Sequence, residues 1–306
     1  MQGQLPKKFL IFGLARAMNE KQFLICLSTV VPLGPVRFSL LKTYFGSAER
    51  LWQASYSDLR KTGLSERLTS GLIKHRNRFN PEAYLARLKQ DKITVLTQKD
   101  YQYPANLLDL EDAPTVLYVK GKIKKGDSKA IAVVGSRKMT VYGQAVTSQF
   151  CTDLVKGGVT IVSGLARGVD TVAHLSALKS GGRTLAVLGS GLDRIYPPEN
   201  SSLADRICQS GAVISEYPLG YPPRPENFIA RNRLISGLSK GILVVEGAKQ
   251  SGTLVTASHA AGQGRSVFAV PGSIFSTLSE APFFLIKSGA KMVSTARDIL
   301  EELNFD

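Results

Sequence analysis

Cysteine is scarce in this chain. Only Cys26, Cys151 and Cys208 occur in 306 residues, with no CxxC pair and no histidine beside them. An odd, widely spaced set supports neither a disulfide framework nor a zinc knuckle; it suits a reducing cytoplasm, where the three serve as small apolar core residues. Long apolar runs are also missing. The most apolar early stretch, residues 23–31, contains Ser28 and Thr29 and falls far short of a membrane span. Residues 7–17 resemble a minimal signal peptide, with two lysines, an apolar run and an Ala-x-Ala end. That run is short, however, and Arg16 stands where a small neutral residue is favoured, so an amphipathic first helix is the expectation. Acidic residues are the third shortage: 24 Asp and Glu face 39 Lys and Arg, a net charge of +15. Such an excess favours phosphate-bearing partners without separating nucleic acid from an anionic membrane surface. With 43% hydrophobic residues the chain is globular, and its length accommodates a large core plus a smaller module.

Catalytic and cofactor signatures are missing as well. There is no G-x-S-x-G elbow and no H-E-x-x-H. Dinucleotide binding needs G-x-G-x-x-G after the first strand, yet Gly135 begins only Gly-Ser-Arg-Lys-Met-Thr. Gly189-Ser190-Gly191 continues to Arg194 where close helix packing wants glycine, so no NAD is expected and no cofactor is assigned. Two segments imitate a P-loop. Gly121–Gly126 is followed by Asp127 where a phosphate-binding lysine belongs, and Gly247–Gly252 leads to Thr253 with no lysine at all. Neither supports nucleotide hydrolysis, although Ser251-Gly252-Thr253 follows a strand and opens a helix, a place to cradle a phosphate without cleaving it. Asp170 and His174 lie one helical turn apart; the preferred reading is an Asp complementing a helix dipole with a packed His nearby.

What is present divides by region. Residues 1–80 carry +9 and residues 81–306 carry +6. The first region reads as short helices, with apolar spacing through Phe38, Leu41 and Phe45 and breaks at Pro32-Leu33-Gly34-Pro35 and Thr62-Gly63-Leu64-Ser65. A tight glycine turn between helices presents backbone N–H groups to a phosphate; a plain helical bundle explains the same pattern. A connecting extension, residues 81–128, has extended pieces at 93–97 and 115–119 and closes on Lys120, Lys122, Lys124 and Lys125, with Lys129 just beyond; a solvated loop is the usual fate of such a run. From residue 129 short apolar runs alternate with helical periodicity seven times, beginning at Ile131, Val159, Thr184, Ala212, Ile242, Val267 and Lys291. Strands apolar on both sides between helices mean a parallel sheet covered on both faces. The expected fold is therefore α/β: a doubly wound, Rossmann-like domain over residues 129–306 behind a small all-helical domain.

In such sheets ligands sit beyond the carboxyl ends of the strands, near a switch in strand order. Those ends here are Gly135-Ser136-Arg137, Ser163 to Gly168, Gly189-Ser190-Gly191, Glu216, Glu246-Gly247 and Pro271-Gly272. Glycines admit a ligand close to the backbone, and Arg137 and Arg167 add permanent charge with forked donors suited to phosphate. The densest polar segment, residues 227–239, sets Arg231 and Arg233 around Asn232 at an expected helix start. Two arginines pair with phosphates, Asn reads a base edge or sugar, and Phe228 or Tyr217 offers a stacking face. A positive groove with interleaved aromatics is what a single-stranded nucleic acid needs.

These segments resemble the DNA-processing protein A (DprA, or Smf) family. The resemblance rests on Val134-Gly135-Ser136-Arg137, on Ser163 to Asp170 with His174, on Gly189-x-Gly191-x-Asp193 with Tyr196-Pro197 and Asn200, and on Ile214 to Pro218. It continues through residues 231–239, Val245-Glu246 with Ser251 to Ala257, and Gly264 to Gly272. More loosely, Leu33-Gly34-Pro35 and Tyr44-Phe45-Gly46-Ser47 are similar to the family's sterile-alpha-motif-like or helix-hairpin-helix domain, expected over residues 1–80. The resemblance implies a cytoplasmic, non-enzymatic protein that binds single-stranded DNA, forms a homodimer through its Rossmann core and helps load a RecA-type recombinase in natural transformation. It carries binding roles onto Ser136, Arg137, Arg167, Arg231, Asn232, Arg233, Ser251 and Thr253. After Pro271-Gly272 the chain departs from the family's S-x-G-x-N-x-L-I pattern, reading Ser279 to Ile286 with Phe283 and Phe284 in place of the polar contacts. Many members also carry a C-terminal winged-helix domain beyond the point where this sequence stops. The alternative from another class is a lysine-decarboxylase-like phosphoribohydrolase, whose P-G-G-x-G-T-x-x-E loop is missing here because Pro271-Gly272 leads into Ser273-Ile274.

Overall fold

The computed structural model describes residues 18–30 and 33–305; the amphipathic helix expected over residues 7–17 lies outside them. Six helices come first: α1 Glu20–Ser28, α2 Pro35–Phe45, α3 Ala48–Gln53, α4 Tyr56–Lys61, α5 Glu66–Arg78 and α6 Pro81–Gln90. Their boundaries follow local chemistry. Asn19, Ser47, Ser55, Ser65 and Asn80 each accept a backbone N–H from the first turn, and Pro35 and Pro81 occupy the first helical position, where no N–H is needed. Gly46 closes α2 at φ +79°, a conformation that favours glycine.

The rest alternates. Two strands, β1 Ile93–Thr97 and β2 Val116–Gly121, flank the short α7 Ala105–Leu108. Then follow β3 Ala130–Val134, α8 Val141–Lys156, β4 Thr160–Ser163, α9 Val169–Lys179, β5 Thr184–Leu188, α10 Ser201–Ser210 and β6 Ala212–Ser215. The chain continues through α11 Pro225–Gly237, β7 Gly241–Val244, α12 Gly252–Gly262, β8 Ser266–Ala269, α13 Glu280–Lys287, β9 Lys291–Met292 and α14 Ala296–Glu302. Among the described residues the strands form one sheet in the order β1-β2-β6-β5-β4-β3-β7-β8-β9. From β6 to β9 every pairing is parallel. The doubly wound expectation is thus borne out, and β3 is the strand from which the order runs both ways.

The extended pieces of the connecting region do not stand free. They pair antiparallel, Thr97 opposite Val116, and β2 then pairs antiparallel with β6, Tyr118 opposite Ser215. Alternation along each strand divides the core. Ala132, Val134, Val162, Val187, Ile214 and Val244 face α7, α11 and α12. Ile131, Val133, Ile161 and Leu243 face α8, α9 and α14. On that same side, beyond β4, Ala186, Leu188, Val213 and Tyr118 join one cluster with Leu27, Leu51, Leu59 and Leu72 of the helical module. The fully buried Tyr118 fixes the join: its hydroxyl lies 2.7 Å from Ser28 Oγ and 3.2 Å from the Tyr84 hydroxyl. Cys26 and Cys151 are buried and Cys208 half-buried, all unpaired; burial pushes the Cys26 thiol up to about 12, which suits packing and not redox chemistry. Among the described residues no helix is long and apolar enough to cross a membrane.

Candidate nucleic-acid interface

The strand order reverses between β3 and β7, and the loops that leave their carboxyl ends, residues 135–140 and 245–251, diverge to opposite faces of the sheet. This divergence opens a cleft of about 750 Å³. One wall is the β3 loop with Gly135, Ser136, Arg137 and Lys138; the other is Gly247, Ser251, Gly252 and Thr253 at the start of α12. Phe228, Arg231 and Asn232 of α11 form the floor and back.

The β3 and β4 loops hold each other. Val169 N–H donates to Ser136 O at 3.2 Å, and Gly168 lies at φ +73° with its missing Cβ position 2.2 Å from that oxygen. Only glycine allows this approach. Asn200 braces the same loop from behind, donating to Leu165 O and Thr171 Oγ1 at 2.9 Å each. Ser136 and Arg137 are thereby presented on a fixed support, with Ser136 Oγ accepting the Lys138 N–H and the Arg137 guanidinium exposed, 6.0 Å from the centre of the Phe228 ring.

Arg231 lies beneath. It is buried and donates through Nη1 to Gly164 O at 2.8 Å and to Val187 O, which ties α11 to the ends of β4 and β5. Burial draws its guanidinium down to about 10, against the attraction of Asp170. Asp170 accepts the N–H groups of Gly164 and Ala166 at 3.1 and 3.3 Å, so Gly164 is held by an anion at its N–H and a cation at its carbonyl. A Cβ on Gly164 would stand 2.7 Å from the guanidinium. Burial raises the Asp170 carboxyl above its ordinary range, with Arg231 opposing. His174 makes no bond to Asp170. Its Nδ1 lies 2.6 Å from Thr184 Oγ1, whose own hydrogen goes to Ile161 O, and burial pushes the imidazole down to about 3. The pair is no proton relay.

Of the helices that begin at this edge near the cleft, α11 carries Glu226 in its first turn, and the N-termini of α8, α9 and α12 differ. That of α8 is filled: the Glu246 carboxylate accepts Thr140 N–H and Thr140 Oγ1–H, and Thr140 caps Gly143. The start of α9 carries Asp170. The start of α12 carries no acid and no side-chain cap, and Ser251 Oγ is buried there without a partner. Free N–H groups and an unused hydroxyl make this the end that can receive an anion.

The structure gathers seven of the eight expected residues at the cleft or its lip. Ser136, Arg137, Arg231, Asn232, Ser251 and Thr253 line it. Arg167 stands at the lip, exposed and paired with Glu199 at 2.5 Å, around a small adjoining recess with Arg137, Tyr196 and Phe228. Arg233 is elsewhere. The helix expected to start beside it begins at Pro225, so Arg231 and Arg233 sit mid-helix, about 200° apart around the axis. Arg233 points across to the helical module, buried between Glu216 at 2.5 Å and Asp112 at 2.9 Å. Tyr217 is likewise turned away, stacked on Tyr221 at 5.1 Å, so of the two expected aromatics only Phe228 lines the cleft. Sequence reasoning missed Lys138 and Ile229 in the lining, and Tyr196, whose ring centre lies 5.4 Å from that of Phe228. The Tyr196-Pro197 step beyond the β5 loop was a usable signal for the last.

Comparison with known proteins identifies the family to which the chain is similar. The family model described as DNA recombination-mediator protein A matches residues 94–304. The chain is 38% identical over 292 residues to protein Smf of Synechocystis sp., covering 94% of this chain and 73% of that protein. It is 46% identical over 248 residues to protein Smf of Escherichia coli, covering 81% and 66%. Among solved structures, DNA processing protein A of Streptococcus pneumoniae superposes with a TM-score of 0.80 at 34% identity, over 93% of this chain and 99% of that one. The Helicobacter pylori DNA processing protein A, described for its single-stranded DNA binding mode, gives 0.63 at 29% identity, over 69% and 95%.

Proposed function

The chain belongs to the DNA recombination-mediator protein A family, and from that premise we propose that the cleft binds single-stranded DNA. The observation that carries this reading is Phe228, an aromatic ring in the cleft with the guanidiniums of Arg137 and Arg231 at 6.0 and 5.9 Å from its centre. Ring and exposed cation together offer one base a stacking face and the adjacent phosphate a partner. Opposite them the uncapped start of α12, with Ser251 and Thr253, receives the next phosphate, while Asn232 contacts a base edge or sugar. Arg231 acts from below by its charge and by fixing the β4 and β5 loops, and Arg167 contributes once it exchanges Glu199 for a phosphate. Arg233, engaged by two carboxylates, supports α11 and touches no DNA.

In this reading the protein is a binder without catalysis of its own. It works as a homodimer in the cytoplasm and presents the strand to a RecA-type recombinase during natural transformation. The description of the H. pylori relative by its single-stranded DNA binding mode supports the ligand class. Two measurements test the reading. Affinity for an oligonucleotide should fall with salt by about 0.7 log units per log unit for each phosphate neutralised. Arg137→Ala, which removes an exposed side chain, should weaken binding by about ten- to a hundredfold, the worth of one charge-assisted contact of about 1.5–3 kcal/mol, with unfolding unchanged. Equal affinity in the variant overturns the site. Recovery of a recombinase on beads carrying the protein and single-stranded DNA, but not on beads carrying DNA alone, tests the mediator role.

A further inference from the structure

The run of lysines between β2 and β3 is not absorbed by the cleft, and the sheet places it at the opposite end of the molecule. Because β2 is antiparallel to β6, with Gly121 opposite Ala212, the chain leaves β2 at the edge where the parallel strands begin. It crosses beneath them and enters β3 at Ala130. Lys122, Lys124 and Lys125 are exposed on this crossing and Lys240 precedes β7, five strand spacings or about 24 Å along the same edge. None of the four has an acidic partner among the described residues.

The crossing is not a loose loop. Asp127 is buried and receives Arg183 through Nε at 2.6 Å and Nη2 at 2.8 Å, Thr160 Oγ1–H at 2.9 Å and Lys124 N–H at 2.8 Å. Arg183 also donates to Ser210 O and Lys122 O at 2.7 Å each. One buried carboxylate and one guanidinium thus clamp the segment to the starts of β4 and β5. Two acids flanking the segment are already engaged: Asp127 by Arg183, and Asp205 by Lys120 at 3.5 Å.

We infer that Lys122, Lys124, Lys125 and Lys240 form a second nucleic-acid contact at the amino edge of the sheet, one that grips phosphates alone. The composition of the segment decides what it reads. Residues 120–129 contain no aromatic side chain, and Phe305, the ring beside Lys129, is half-buried against the core with that ammonium 5.2 Å from its centre, so the segment offers no open stacking face and the contact does not distinguish single from double strands. A membrane surface fits less well, because it requires an apolar face to insert, and Ile123, the one apolar side chain between these lysines, packs down onto the core. The inference rests on the nucleic-acid reading of the cleft and is separable from it by experiment.

The test compares the wild type with K122Q/K124Q/K125Q and with R137A on three probes: a single strand of about six nucleotides, a long single strand, and a duplex. The triple variant should bind the short strand as the wild type does. It should bind the long strand and the duplex about tenfold more weakly at low salt, with log–log salt slopes smaller by about 2 and about 3 respectively. R137A should bind the short strand at least about tenfold more weakly and keep most of its duplex binding. If the triple variant holds the duplex with unchanged affinity and slope, the second contact does not exist. If it loses affinity for anionic phospholipid vesicles and not for the duplex, the edge serves a membrane and the inference fails. Failure of the wild type to bind the short strand, with duplex binding intact and lysine-dependent, would overturn the cleft and leave the edge standing.

Discussion

Arg231→Ala is a more severe change than its place in a binding cleft suggests. The guanidinium satisfies the carbonyls of Gly164 and Val187 and is the nearest cation to the buried Asp170 carboxylate. Truncation leaves the two carbonyls short of a donor, at about 1–3 kcal/mol for each that finds no water. Arg231 attracts the Asp170 carboxyl through space without an ion-pair contact, so its removal costs less there than the roughly 3–5 kcal/mol of a directly bonded buried pair. Asp170 keeps two backbone N–H donors, so a total of about 4 kcal/mol is expected, and at about 2–4 °C per kcal/mol Tm should drop by roughly 10 °C. The pH dependence carries a sign. A carboxyl whose folded pKa is raised holds its proton more tightly in the folded state, so between the unfolded and folded pKa stability falls as pH rises. Arg231→Ala raises that pKa further, so its deficit is greatest near neutrality and shrinks as pH falls toward the ordinary carboxylate value. Thermal unfolding followed by circular dichroism at pH 7 and pH 5 measures both effects. In an Asp170→Asn background the same truncation should cost at least about 1 kcal/mol less. A Tm within about 1 °C of wild type at pH 7 would refute the reasoning, because no buried charge would then depend on Arg231.

Two further substitutions probe the supports of the site. Gly168→Ala places a Cβ 2.2 Å from Ser136 O at a positive φ; stability should fall by about 2 kcal/mol or more, and oligonucleotide affinity should fall as the Arg137 loop is displaced. Chemical denaturation and anisotropy report the two, and a neutral result in both would contradict the described fit of the loops. His174, held down to about 3 when folded, binds a proton more readily unfolded, so the protein should lose stability as pH falls from about 6.5, by about 2 kcal/mol at pH 5. His174→Gln should flatten that part of the pH–stability curve, and an unchanged slope would assign the loss to another group.

How much of this was legible in the residues follows a simple division. Local features were readable: the apolar runs ending in glycine mark the strands from β3 onward, and Gly135-Ser136-Arg137, Ser163 to Gly168 and Ser251-Gly252-Thr253 all lie at the carboxyl edge where a parallel sheet must put them. Features made by distant partners were not. Arg231 and Arg233 look equivalent in the sequence, yet one meets the ends of β4 and β5 and the other meets Glu216 and Asp112, because two residues along a helix face opposite sides. The helix start was misplaced because Arg-Asn-Arg resembles a polar terminus, whereas the working signal was Pro225 followed by Glu226 in the first turn. Glu246 read as a plain strand end; only the fold brings it to Thr140, 106 residues away, and so closes one helix terminus while leaving that of α12 open. The pairing of β1 and β2 onto the sheet edge was hidden for the same reason, since their partner strand β6 follows about 90 residues later.

The most direct test of the central claim uses Phe228→Trp. Trp52, the sole tryptophan of the sequence, is buried in the helical module away from the cleft, so the new indole reports from the cleft over a background that the wild type measures separately. Titration with a single-stranded oligonucleotide should quench that emission along the same curve as the rise in anisotropy of the labelled strand, because bases stack on the ring beside Arg137. Binding by anisotropy with no change in the emission would place the strand somewhere other than this cleft.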